Sequence, residues 1–237
     1  MNSIIETSPS LYSAPHRWRL RSKVLVGVGA TATLVGGLLA LDLATNDSRH
    51  TTTQFSGPVN VLDVDLGSGS LRVVGSTEPT ITVDVTVHGG LHQASHSEAM
   101  VGDHLRLRAG CGLALIAPSC SADYVVHLPA HVAIVGEANG GNIDVVGTSG
   151  DVDLSINGGN VDMQFASAPR TVKAETNGGK IVIALPNDAD GYRVDAEAEG
   201  GSTHVGIRTD PASERLIDVH ANGGNISVGY LPQLASS

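Results

Sequence analysis

The sequence predicts an all-β protein: a β-solenoid of about 20-residue coils with two short strands per coil, preceded by one N-terminal transmembrane helix. Three observations predict this fold class. An Asn-Gly-Gly signature recurs through the second half, apolar and polar residues alternate after each copy, and an 18-residue run near the N-terminus carries no charge. Because only 3% of the 237 residues are aromatic, the core is expected to consist of Val, Ile, Leu and Ala.

The uncharged run, residues 24–41, predicts a membrane anchor over residues 24–44. As a helix the run would span about 27 Å, close to the thickness of a bilayer core. Four basic residues precede it: Arg17, Arg19, Arg21 and Lys23. The positive-inside rule therefore places residues 1–23 in the cytoplasm as a basic tail and the C-terminal domain outside the cell. A signal peptide cleaved near Ala44 is the alternative, although the hydrophobic stretch of signal peptides is usually shorter, about 7–15 residues.

Beyond the anchor, residues 45–57 are expected to form a polar linker and residues 58–232 an extracytoplasmic domain. From Thr45 onward the chain has 22 acidic against 10 basic residues. Such a charge excludes nucleic acid and anionic lipid headgroups as natural partners. It suits cations or basic partners, or it only keeps the surface soluble.

The repeated signature begins at five positions: Asn139, Asn157, Asn177, Glu199 and Asn222. The intervals are 18, 20, 22 and 23 residues, and a half-repeat lies at residues 149–152. A repeat near 20 residues is typical of a solenoid. Asn and Gly are expected to supply positive φ at each corner, and the stacked asparagines are expected to form an amide ladder.

After each corner the alternation predicts strands with one buried face. Val161, Met163 and Phe165, for example, alternate with polar residues. Coils should stack at about 4.8 Å with parallel strands in register. The less regular residues 59–128 are expected to form the first coils, with an insertion at about 88–103.

The repeated Gly-Gly-Asn-Ile/Val-Asp units resemble the bacterial putative adhesin family, a family of unknown function. Leu128-Pro129 leading into residues 132–136, and Leu185-Pro186 followed by residues 192–198, resemble it as well. The resemblance covers roughly residues 57–230. It implies a β-solenoid facing the cell envelope, often behind a membrane helix, and it supplies no catalytic residues.

The sequence contains two candidate metal sites. Gly141, Gly150 and Gly159 have the nine-residue spacing of calcium-binding β-rolls, but the following Asp lies one place early, which turns it to the other face of the strand. Asp144 and Asp162 should still be neighbours on adjacent coils, where a cation would relieve their repulsion. His88, His92 and His96 would share one face of a helix and could bind zinc, copper or nickel, but Gly89-Gly90 favours a surface loop.

Paired carboxylates and cysteines complete the candidates. Asp63/Asp65 and Asp151/Asp153 have the spacing of a glycosidase or lyase pair, and also that of ordinary solvent-facing positions on a strand. Cys111 and Cys120 are expected to form a disulfide on the oxidising side, with two buried thiols as the alternative.

These observations predict no catalytic, cofactor or metal residues. The expected function is a non-catalytic binding or scaffolding module, single-pass in the cell membrane, with an envelope protein or glycan as partner. The alternative is a carbohydrate-active β-helix enzyme, a lyase or hydrolase, which a cleft lined by carboxylates and a cationic side chain would favour.

Overall fold

The computed structural model describes residues 47–89, 94–111, 120–187 and 190–231. Over these ranges the chain forms strands in this order: β1 (Asp47–Phe55), β2 (Val61–Leu66), β3 (Leu71–Ser76), β4 (Ile81–Gly89), β5 (Ser95–Val101), β6 (His104–Gly110), β7 (Ser121–Pro129), β8 (Ala133–Ala138), β9 (Ile143–Thr148), β10 (Val152–Ile156), β11 (Val161–Phe165), β12 (Thr171–Thr176), β13 (Gly179–Leu185), β14 (Arg193–Glu199), β15 (Thr203–Val205), β16 (Leu216–Asn222) and β17 (Gly224–Tyr230). Those same ranges contain no helix long and apolar enough to cross a bilayer.

The strands form two sheets. Sheet I has nine strands in the order β1-β4-β7-β3-β9-β11-β13-β17-β15, and sheet II has eight in the order β14-β16-β12-β10-β8-β2-β6-β5. Coils such as β10–β11 and β12–β13 contribute one strand to each sheet, and they pair in parallel and in register. The prediction of an all-β solenoid with two strands per coil is therefore confirmed for the described residues, and the predicted helix at 24–44 lies outside them.

The core lies between the two sheets and consists mainly of aliphatic side chains. In β10, Val152, Leu154 and Ile156 are buried while the residues between them are exposed. Val161, Met163 and Phe165 of β11 are likewise buried from the opposite sheet. Alternation of period two thus places one face of each strand in the core, as the sequence predicts.

The spatial order of the coils differs from their order along the chain. The β2–β3 coil lies between β6–β7 and β8–β9, although it comes first in sequence. At the other end, β14–β15 lies outside β16–β17. Coils that follow one another along the chain therefore do not stack consecutively at either end of the solenoid.

The Asn-Gly-Gly corners use glycine alone for the unusual backbone conformation. Gly141 and Gly159 have φ of 98° and 120°, and no described non-glycine residue has positive φ. A Cβ on Gly159 would lie 1.7 Å from the carbonyl oxygen of Gly141, so neighbouring corners touch through their backbones. The expectation that Asn shares the positive-φ role is wrong. The asparagine side chains instead join the coils, as Asn177 Nδ2 donates to Asn157 Oδ1 at 2.6 Å and Asn222 Nδ2 donates to Asn177 Oδ1 at 3.0 Å.

The segment expected to be a linker contains an edge strand. Residues 47–55 form β1, which pairs antiparallel with β4. A Thr-rich segment can form this strand because an edge strand buries little surface and β-branched residues favour the extended backbone. Residues 88–103 were predicted to be an insertion. They include the last residues of β4 and the whole of β5, which forms an antiparallel hairpin with β6.

Candidate functional site

The outward face of sheet II carries an open trough across six strands. Two adjoining depressions of about 380 and 160 Å³ share Asp153 and Ser155. The trough is lined by Asp63, Asp65, Arg108, Val135, Glu137, Asp153, Ser155, Lys173, Glu175, Asp218 and His220. From β6 to β16 it extends about 24 Å at the usual strand spacing.

The local sequence explains why the surface is concave there. In-register parallel strands bring every second side chain into rows that run across the sheet. One row passes from Asp63 through Val135 to Asp153, and the next from Glu137 through Ser155 to Glu175. Val135 and Ser155 are short, so the rows dip between the longer carboxylate side chains. Val135 is 36% exposed, an apolar floor in an otherwise charged surface.

The trough is acidic, with few cations to balance its carboxylates. Arg106 Nε donates to Asp63 Oδ2 at 2.8 Å, and His220 Nε2 lies 2.8 Å from Asp218 Oδ1. Cross-strand pairing also places Arg108 opposite Asp65. Glu137 and Glu175 project outward from β8 and β12 and are exposed. Six carboxylates thus outnumber the two lining cations, Arg108 and Lys173, so the face as a whole can attract cationic groups.

The two predicted carboxylate pairs have different positions. Asp63 and Asp65 both face the trough from β2, as does Asp153 from β10. Asp151 does not line it: its Oδ1 accepts hydrogen bonds from the backbone N–H groups of Arg170 and Thr171, at 3.1 and 2.9 Å. Asp151 thus connects one coil to the next. Asp151 and Asp153 therefore do not form a carboxylate pair in one site.

Arg108, which lines the trough, and Arg106, which pairs with Asp63, were not predicted from the sequence, although a signal was present. Arg106 and Arg108 have the same i, i+2 spacing as Asp63 and Asp65, and the two pairs are opposite one another on neighbouring strands. Two short alternating segments with complementary charges are a pairing signal. It was hidden because β2 and β6 are far apart in sequence and are not consecutive coils.

Two of the three histidines are described, and the structure separates them. His88 lies at the end of β4 in sheet I, where its Nε2 is 3.2 Å from Asp123 Oδ2. His96 lies in β5 of sheet II, where its Nδ1 is 2.9 Å from Glu98 Oε1. Both histidines lie in strands, so they do not share one face of a helix. Each has a carboxylate partner that was not predicted from the sequence. His92 lies outside the described residues.

Glu98 belongs to a polar cluster at the β5 end of the solenoid. Its side chain is only 11% exposed, and it accepts a hydrogen bond from the Tyr124 hydroxyl at 3.0 Å. Burial and then the neighbouring Glu98 carboxylate raise the pKa of Tyr124 far above its ordinary value. This cluster joins β5 of sheet II to β7 of sheet I.

The remaining candidates lie away from the trough. Asp144 and Asp162 are neighbours on adjacent strands of sheet I, as predicted, and Arg72 Nη1 lies 3.7 Å from Asp144 Oδ2 and supplies a counter-charge. No group of three metal-ligating side chains occurs within the part of the chain that the structure describes. The sulfur atoms of Cys111 and Cys120 are bonded, with Cα atoms 6.1 Å apart, which is compatible with the predicted disulfide.

The sequence matches one family model. Residues 135–229 match the Toastrack DUF4097 family. This part of the chain is therefore similar to Toastrack DUF4097 domains. The matched residues include β9 to β17 and most of β8, and with them the Glu137–His220 part of the trough. No curated protein matches the sequence significantly.

One solved structure has a similar fold over more of the chain than residues 135–229. A putative cell adhesion protein from Clostridium sporogenes is 13% identical, with a TM-score of 0.57, and the match covers 78% of this chain and 100% of that chain. A putative adhesin from Bacteroides fragilis is 13% identical (TM-score 0.29; 77% and 97% covered), and a putative lipid binding protein from Parabacteroides distasonis is 8% identical (TM-score 0.26; 78% and 98% covered). The Toastrack match confirms the expected resemblance to the putative adhesin family, and the Clostridium sporogenes structure shares the fold.

Proposed function

We propose that the protein is a membrane-anchored, extracytoplasmic and non-catalytic binding module whose trough on sheet II contacts an envelope protein or glycan. The observation that carries the proposal is the trough itself: an acidic, solvent-facing channel that crosses six strands. Relatedness to putative adhesins supports a binding role.

The extended shape of the trough favours an extended partner. A small molecule is usually held in a concave pocket that buries most of its surface. Here Asp65, Glu137 and Asp153 are all exposed, and the channel is open along its length. In-register strands also hold its side chains at a regular spacing, which suits a linear chain with repeated cationic groups.

The proposed location rests on residues 1–44. Their uncharged run and the basic residues before it favour an anchor with the N-terminus in the cytoplasm. The acidic domain would then be held just outside the membrane, where anionic lipid headgroups repel its trough. That repulsion would direct the trough toward partners away from the bilayer.

One observation favours the alternative, a carbohydrate-active enzyme. The trough brings Asp63, Asp65, Glu137 and Asp153 together with Arg108, which is the combination expected for such a site. A glycosidase, however, needs one carboxyl group that stays protonated, usually through burial. Three of these four carboxylates are exposed, and the fourth, Asp63, is only partly buried and accepts a hydrogen bond from Arg106 Nε.

The test uses the full chain, purified in detergent and immobilised, with an envelope extract and peptidoglycan fragments as probes. A variant with Glu137→Gln and Glu175→Gln removes two trough carboxylates. Asp144→Asn with Asp162→Asn removes two from the outward face of sheet I and serves as the matched control. We expect the native chain and the control to retain the same component and the trough variant to lose it.

Two outcomes would contradict the proposal. Equal retention by the trough variant would mean that the trough is not the contact surface. Turnover of a glycan fragment that stops with Asp63→Asn or Asp153→Asn would establish the enzyme instead.

A further inference from the structure

β14 is the terminal strand of sheet II and pairs on one side only, with β16. The Arg193 N–H donates to the carbonyl of Arg215 at 2.9 Å, and the Glu199 carbonyl accepts from Gly223 N–H at 2.6 Å. In a parallel pairing, alternate residues direct their backbone groups to opposite sides. The N–H and C=O groups of the intervening residues, Val194, Ala196 and Ala198, therefore point away from β16.

Within the described part of the chain, these outward backbone groups have no hydrogen-bond partner. The same three residues direct their side chains toward the interior, but they are only partly buried. Ile217, Val219 and Ala221, the residues opposite them in β16, are fully buried. The end coil thus offers both unpaired backbone groups and incompletely covered apolar side chains, the two features that one more strand would satisfy.

By contrast, the opposite end of sheet II is protected against the addition of another strand. There β5 is the edge strand, and it turns Glu98 toward the interior, where the carboxylate accepts a hydrogen bond from Tyr124. An inward-pointing charge on an edge strand is a recognised way of preventing strand addition, because the next strand would bury it. β14 has only small apolar residues at its inward positions, so it lacks that protection.

The outward side chains of β14 indicate which strand would fit. Asp195, Glu197 and Glu199 face solvent, with Arg193 as the one cation in the strand. An antiparallel pair of two β14 strands centred on Ala196 would place Arg193 beside Glu199 but Asp195 beside Glu197, so charge favours no self-association. A strand that carries Lys or Arg at its outward positions would instead meet three carboxylates.

We propose that the free edge of β14 accepts an extended polypeptide segment of a partner protein by β-strand addition, with small apolar residues facing inward and Lys or Arg facing outward. Main-chain hydrogen bonds to Val194, Ala196 and Ala198 would provide the pairing, and the carboxylates of β14 would select the charge. This site is distinct from the trough and lies at the end of the same sheet.

The test measures fluorescence anisotropy of a labelled heptapeptide, alternating Lys and Val, with the full chain in detergent micelles. We expect binding that weakens at least tenfold in Ala196→Pro. Proline removes the central outward N–H without breaking a hydrogen bond to β16, and proline is tolerated on edge strands with this orientation. Should that variant unfold, Ala196→Glu places a carboxylate inward. It should also block pairing, even though it adds negative charge.

Peptide variants separate strand pairing from charge attraction. N-methylation of the valines and N-methylation of the lysines each block one edge of the peptide, so only one of the two should abolish binding. A Glu-Val peptide should not bind. If both methylated peptides bind as well as the parent, main-chain pairing is refuted.

Protein variants separate the edge from the trough. Glu197→Gln should weaken the peptide binding that is sensitive to Ala196→Pro, whereas Glu175→Gln, which removes the same charge from the trough, should leave that binding unchanged and reduce only separate binding in the trough. Loss with Glu175→Gln and none with Ala196→Pro would place the peptide in the trough and overturn the proposal. Binding only after deletion of residues 232–237 would mean that the chain's own C-terminus occupies the edge, which also overturns it.

Discussion

The side chain of Asn177 links its own coil to the coils of Asn157 and Asn222. Its Nδ2 donates to Oδ1 of Asn157 at 2.6 Å, while its own Oδ1 accepts from Nδ2 of Asn222 at 3.0 Å. The side-chain amide therefore donates to one neighbouring coil and accepts from the other, along the axis of the solenoid. The side chains thus add hydrogen bonds between coils that run in the same direction as those of the backbone.

Replacing Asn177 with Ala should remove both hydrogen bonds of the ladder. Because the corner is exposed and water can replace the lost partners, we expect a loss of about 1 kcal/mol in the free energy of unfolding. Asn139→Ala is the matched control: it occupies the same corner position, but its side chain makes no hydrogen bond within the described residues, so urea denaturation should show little change. Equal losses in both variants would argue against the ladder.

A pair of neighbouring substitutions in β11 should separate the inner from the outer face. Val161 is fully buried, so Val161→Asp puts a charge between the sheets and should cost at least about 3 kcal/mol. Asp162→Lys lies on the outward face beside Asp144 and should stay within about 0.5 kcal/mol of the native chain. Denaturant midpoints decide the matter, and similar damage from both changes would contradict the alternating burial.

The predicted disulfide can be checked by mass. Cys111 and Cys120 enclose a loop of about ten residues, whose closure should stabilise the fold by about 2.5–3 kcal/mol. Alkylation of the denatured chain without reductant should therefore leave its mass unchanged, and reductant should lower the denaturation midpoint. Two alkyl groups added without reductant would show free thiols.

Stability should fall at alkaline pH because of Tyr124. Burial raises the pKa of Tyr124 above that of tyrosine in the unfolded chain, which is about 10. The unfolded state then loses this proton first, so the stabilisation is complete below about pH 10 and is lost as the pH rises above it. Thermal unfolding from pH 8 to pH 11 should show a smaller alkaline decline in Tyr124→Phe than in the native chain. An unchanged decline would mean that Tyr124 does not contribute to it.

Fusions to the C-terminus should establish topology. If residues 24–44 anchor the chain with the N-terminus inside, a C-terminal alkaline phosphatase is active and a C-terminal fluorescent protein that matures only in the cytoplasm stays dark. Inverting the charge bias by placing the four basic residues after the run, in place of those before it, should reverse both readouts. Fluorescence without phosphatase activity in the unaltered chain would contradict the proposed location.

Local patterns in the sequence were sufficient for the strands, for glycine at the corners and for the Asn157–Asn177 link of the ladder, but not for the expected participation of Asn139. The alternation of Val161, Met163 and Phe165 with polar residues decides which face is buried, since successive side chains of a strand point to opposite sides. The interval of about 20 residues decides that Asn157 and Asn177 stack. These features depend on neighbours in sequence, or on one coil above another.

Other features depend on contacts between segments that are distant in sequence. The salt bridge between Asp63 and Arg106 requires β6 to lie beside β2, and no local pattern specifies that pairing. The trough follows from it, because Arg108, Glu137 and Glu175 reach the face from different coils. The same reason explains why the separate positions of His88 and His96 were not predicted.

By itself, the sequence determined that this chain forms stacked coils with an aliphatic core, because period-two alternation and glycine corners act locally. Only the tertiary structure decided the order of those coils. β16 carries Ile217 and Val219 inward, whereas β14 carries Val194, Ala196 and Ala198. Placing β16 inside and β14 at the end buries the larger side chains completely, which gains more from the hydrophobic effect than the sequential order would. That choice leaves β14 as the edge strand.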